Sequence, residues 1–101
     1  MIVREKEVAV CNPFGVHGRV ATRLALVARQ YEVRLHLIHA DEVIDCSSVL
    51  DVLSMAFASG STFTVRVAGE EEMVDKTFSA VERLFAAEEE EHKSDAEGEN
   101  D

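Results

Sequence analysis

Apolar residues along this chain switch between two spacings, and each switch marks an element. In residues 2–11, Val8 and Val10 fall on one side while Glu7 and Ala9 fall on the other, which predicts a first strand. The alternation stops at residues 12–15, where Pro13 cannot donate to a ladder and Gly15 permits a sharp bend. Over 18–30 the spacing lengthens. Val20, Ala21, Leu24, Val27 and Ala28 recur at i, i+3 or i+4 and predict a helix with one apolar stripe, leaving Arg19, Arg23 and Arg29 off it.

Alternation returns with Val33, Leu35 and Leu37 against Arg34 and His36, a half-buried strand. Asp41 and Glu42 offer a tight turn, and Val43 and Ile44 begin a short returning strand that ends near Cys46. Ser47 or Ser48 then caps a second, shorter helix carrying Val49, Leu50, Val52, Leu53 and Met55, and Gly60 is placed to stop it. Phe63, Val65 and Val67 alternate with Thr62, Thr64 and Arg66 in a fourth strand ended by Gly69. Glu70, Glu71 and Glu72 open a last helix, where negative charge meets the dipole favourably, and Met73, Val74, Thr77, Phe78, Val81, Leu84 and Phe85 supply its buried face. The order β-α-β-β-α-β-α predicts an α+β domain, a four-stranded antiparallel sheet with three helices on one face and water on the other.

Composition refines this picture at the C-terminus. The formal net charge is −10. Residues 88–101 contain only Lys93 against eight acids, from Glu88 to Asp101, and no aliphatic side chain larger than Ala. Such a segment cannot offset its own ordering entropy, so residues 1–87 are expected to form the domain and 88–101 a disordered acidic tail. No basic face large enough for nucleic acid is visible, and no apolar run approaches a membrane span. Met1, Ile2 and Val3 lead into Arg4, Glu5, Lys6 and Glu7, which is not a signal peptide; a cytoplasmic monomer is expected. Cys11 and Cys46 lack any C-x-x-C spacing and read as reduced structural thiols, one per strand. His36 and His39 point to opposite strand faces, so no metal site is expected, nor any cofactor.

The chemistry concentrates at His17. It stands at the predicted start of the first helix, where unpaired N–H groups and the positive dipole end receive a phosphate well. Its neutral imidazole is a competent nucleophile near pH 7, Arg19 offers a cation, and the N–H groups of Gly18 and Arg19 can donate to an anion. Gly18 also leaves the approach open.

Gly15-Val16-His17-Gly18-Arg19-Val20-Ala21 resembles the active-site signature of the histidine-containing phosphocarrier (HPr) family of the bacterial phosphotransferase system. Ser48-Val49-Leu50-Asp51-Val52-Leu53-Ser54-Met55, followed by Gly60, resembles that family's regulatory-serine signature at the matching distance. The resemblance covers roughly residues 2–87 and implies the family's open-faced β-sandwich. It further implies a phosphoryl relay: enzyme I, charged by phosphoenolpyruvate, phosphorylates His17 on Nδ1, and the group passes to an enzyme II in sugar transport. The chain would then be a carrier rather than a standalone enzyme.

By the same resemblance, Ser48 is a regulatory phosphorylation site for an HPr kinase/phosphorylase, and Val20, Arg23, Leu24, Val49, Leu50 and Leu53 are the docking positions, some of which must instead be core. Three positions depart from the family pattern. Val20 replaces a proline, Asp51 a glycine or basic residue, and Ser47 a basic residue, which strips positive charge from the second helix. A second function class stays open: a regulatory module that keeps the fold, has lost the relay, and is switched at Ser48.

Overall fold

The computed structural model describes residues 1–11, 16, 18–55 and 61–86. Its strands are β1 (Ile2–Ala9), β2 (Arg34–His39), β3 (Glu42–Asp45) and β4 (Thr62–Gly69), and its helices are α1 (Gly18–Gln30), α2 (Val49–Met55) and α3 (Glu71–Ala86), in the order β1-α1-β2-β3-α2-β4-α3. The strands form one antiparallel sheet, ordered β1-β4-β2-β3. All three helices pack against one another or the sheet, giving the expected α+β open-faced sandwich.

The registers fix which side chains enter the core. Val8 pairs with Phe63, Leu37 with Val65 and Leu35 with Val67, and all six are buried beneath the helices. From the helix side come Val20, Ala21 and Leu24 of α1, Val52 of α2, and Val74, Val81 and Phe85 of α3, each with no solvent exposure. Phe85 meets Phe63 edge-on at a ring-centroid distance of 5.1 Å. Thr77 is the buried polar residue of α3, and its hydroxyl donates to the Met73 carbonyl at 2.7 Å. Gly69 lies so close to Val33 that a Cβ there would stand 2.9 Å from its Cγ1, so the strand end requires glycine.

Alternate residues of β1 put Arg4 and Lys6 on the helix side as well, where they reach carboxylates of α3. Arg4 pairs with Glu71 and Asp75, and Lys6 with Glu82. The open face carries Glu5, Arg66, His36 and Asp45 across adjacent strands, with Arg66 Nε donating to Glu5 at 2.8 Å. These exposed pairs contribute at most about 1 kcal/mol each.

Two local expectations are corrected. The β2–β3 turn centres on Ala40 and Asp41, both at positive φ (50° and 74°), because the His39–Glu42 pairing leaves a two-residue loop that must twist with the strands; Glu42 is already in β3. Neither cysteine lies within a strand. Cys46 is buried just after β3, but Cys11 is exposed just after β1, because its backbone turns to α3 instead of continuing the ladder. Of the two serines expected to cap α2, Ser48 does so. Gly60 and residues 87–101, including the boundary placed between 87 and 88, lie outside the described residues. No helix among the described residues is long and apolar enough to cross a membrane.

Candidate functional site at the start of the first helix

Two backbone hydrogen bonds anchor the chain just after β1. Val10 is fully buried and donates its N–H to the Ser61 carbonyl at 2.8 Å, and Cys11 N–H then donates to the Phe85 carbonyl at 2.9 Å. Val16 is buried ahead of α1, and Val20 is buried in its first turn. His17, with residues 12–15, lies outside the described residues; in sequence it stands between buried Val16 and Gly18, the first residue of α1. A Cβ added to Gly18 would meet no atom within 4 Å among the described residues, so the helix start presents its backbone to the surface.

The electrostatics of α1 run against ordinary helix stability. Its first turn holds no acid and its second residue is Arg19, whereas α3 opens with Glu71 and Glu72. A cation at the positive dipole end is unfavourable by about 0.3–1 kcal/mol, and an anion bound there reverses the sign. Arg19 and Arg23 are four residues apart and both exposed, so they share one ridge running from the helix start.

The docking positions divide. Val20 and Leu24 are completely buried, which corrects their assignment to a partner-facing surface: the apolar stripe of α1 that contains them is the stripe packed on the core. Arg23 is exposed. On α2, which packs against α1, Leu50 is 78% exposed while Val49 and Leu53 are half-buried, and Met55, which is not among the docking positions the resemblance implies, is half-buried against the core as well.

Ser48 is half-buried at the N-cap of α2. Its hydroxyl accepts from the Asp51 N–H at 3.3 Å, its carbonyl accepts from Val52 N–H at 3.1 Å, and its own N–H donates to the Asp45 carbonyl at 3.0 Å. Ser47 is held differently. Both its N–H and its hydroxyl donate to Asp45 Oδ1 at 2.9 Å, and these bonds hold the Asp45 carboxyl below its ordinary pKa. Burial, aided by the Asp45 charge, pushes the Cys46 thiol up to about 12, which leaves it inert. The Cys11–Phe85 backbone clamp was invisible in the sequence, because a long-range N–H to C=O bond has no side-chain signature. Among the described residues no cluster of His, Cys, Asp and Glu could hold a metal ion.

Comparison with known proteins places this geometry. Residues 4–87 match the family model described as "PTS HPr component phosphorylation site". Phosphocarrier protein HPr of Treponema pallidum is 33% identical over 80 residues, covering 79% of this chain and 89% of its own. Phosphocarrier protein NPr of Shewanella violacea is 30% identical over 67 residues, 66% of this chain and 74% of its own. The crystal structure of a phosphocarrier protein HPr from Bacillus anthracis superposes with a TM-score of 0.73 at 18% identity, covering 82% of this chain and 96% of that one, which shows the shared fold.

Proposed function

Because the chain belongs to the HPr family of phosphotransferase-system phosphocarriers, we propose that His17 accepts a phosphoryl group on Nδ1 from a phosphorylated enzyme I and hands it to an enzyme II component. The supporting observation is the start of α1: Gly18 opens the helix, no acid stands in its first turn, and exposed Arg19 follows His17 by two residues in the sequence. In the transfer, the lone pair of neutral Nδ1 attacks phosphorus as the donor's bond to phosphorus breaks, and the three phosphoryl oxygens face the N–H groups of Gly18 and Arg19 and the Arg19 guanidinium. Arg23 and exposed Leu50, with Val49 and Leu53, receive the partner, while buried Val20 and Leu24 fix the helix that presents the site. The test is restoration: added to a phosphotransferase system lacking its carrier, the chain restores phosphoenolpyruvate-dependent phosphorylation, and His17→Ala does not.

A regulatory module is the second reading, favoured by the 78% exposure of Leu50, a docking feature that persists without any relay. A phosphate on Ser48, placed there by an HPr kinase/phosphorylase, would stand between Asp45 and Asp51 and displace the cap, so it would repel and loosen α2 rather than settle on its dipole. Failure to restore the depleted system, together with binding to a regulator through α2, selects this reading.

A further inference from the structure

We propose that Asp51, next to exposed Leu50, sets partner choice at α2: the enzyme I surface that meets this helix presents a lysine or arginine to Asp51 and an apolar pocket to Leu50. Naming enzyme I as the occupant rests on the function proposed above.

The fold leaves the Asp51 carboxylate unused. Ser48-Val49-Leu50-Asp51 has the spacing of a capping box, in which the serine hydroxyl takes the N–H of the acid and the carboxylate reaches back to the serine N–H. Only the first half forms. Ser48 Oγ accepts from Asp51 N–H at 3.3 Å, but Ser48 N–H donates to the Asp45 carbonyl at 3.0 Å. The Asp51 carboxylate is thereby left exposed, with no hydrogen-bond or ion-pair partner among the described residues. By contrast, Glu5, Glu71, Asp75 and Glu82 each hold a cation of β1 or β4.

The core leaves Leu50 unused as well. Val52 is fully buried, and Val49, Leu53 and Met55 pack partly against the core, while Leu50 is 78% exposed. Leu50 and Asp51 are consecutive and both exposed, so one partner surface meets both. Covering Leu50 supplies affinity to any partner with a fitting pocket. The charge beside it discriminates: Asp51 is the one charged residue of α2, so a partner acid facing it is repelled and a partner cation is attracted.

The test titrates the amide signals of the full chain with unphosphorylated cognate enzyme I, so that binding is read without chemistry. Asp51→Asn should raise Kd roughly two- to fivefold, as for one exposed ion pair, and Asp51→Lys should raise it further. Asp51→Glu should bind like the wild type, which separates a lost charge from an altered helix start. Salt at about 1 M, where the Debye length is about 3 Å, should weaken the wild type more than Asp51→Asn. Leu50→Ala should weaken binding at low and high salt alike. Equal or tighter binding by Asp51→Lys overturns the proposal, as does a loss in Asp51→Asn that salt leaves unchanged, or a wild type that enzyme I does not bind. A wild type that binds with this charge dependence yet accepts no phosphate sinks the relay and leaves the proposal standing. Phosphate acceptance with the same KM in wild type and Asp51→Lys does the reverse.

Discussion

The N–H of Cys11 donates to the carbonyl of Phe85 across 2.9 Å, joining the end of the first strand's path to the last turn of the last helix. The Phe85 side chain is fully buried against Phe63 on the other side of the same residue. One position thus holds the core and fixes where the segment leading to His17 departs. Phe85→Ala is expected to cost about 3–5 kcal/mol in denaturant unfolding, through the cavity it leaves. Phe85→Leu should cost less, since Leu refills much of the cavity while the backbone clamp is the same in both variants.

Leu24 and Leu50 separate core from docking surface. Leu24→Ala removes a side chain with no exposure and should lower unfolding stability by about 2–5 kcal/mol. Leu50→Ala removes one that is 78% exposed and should change stability by no more than about 0.5 kcal/mol, while weakening partner binding measured by calorimetry. Equal stability losses in the two variants would contradict the division.

Arg19 is expected to act on the transfer and not on the fold. Arg19→Ala should slow phosphoryl acceptance roughly tenfold, or about 1.4 kcal/mol of transition-state stabilisation. Unfolding should change by no more than about 1 kcal/mol, because Arg19 is exposed at the helix start. Stopped-flow transfer and thermal unfolding read the two effects separately.

Asp45 predicts a pH dependence. Ser47 holds its folded pKa below the ordinary carboxylate value, so the ionised form favours folding: the contribution is complete above about pH 3.9 and is lost as pH falls through the lower folded value. Asp45→Asn should therefore flatten the decline of melting temperature on acidification. An unchanged profile would show that the Ser47 bonds carry no linkage.

The thiols should react unequally. Exposed Cys11 is modified by an aromatic disulfide reagent in the native protein, while Cys46, buried with its thiol pushed up to about 12, reacts only on unfolding. Counting released thiolate with and without denaturant checks this.

The periodic elements were legible because their side chains answer to one helix or strand at a time. Gly18–Gln30 follows from the stripe of Val20, Ala21, Leu24 and Ala28, and β4 from Phe63, Val65 and Val67. What escaped depended on partners distant in sequence. The Ala40–Asp41 turn is set by the His39–Glu42 register, and of its two central residues only Asp41 favours a turn. Arg4 and Lys6 carry no local signal of a partner, yet the pleat turns them toward acids of α3. Val20 and Leu24 were assigned to docking through the resemblance, but one stripe cannot face both partner and core. The site was recognisable because its residues are nearly contiguous, from Gly15 to Ala21.

The central claim, phosphoryl acceptance at His17, is tested most directly by intact mass after incubation with a cognate enzyme I and phosphoenolpyruvate. The wild type should gain the mass of one phosphate, lost on mild acid treatment, and Ser48→Ala should gain it equally. His17→Ala should gain none. A phosphate that persists in His17→Ala, or that disappears in Ser48→Ala, would contradict the account.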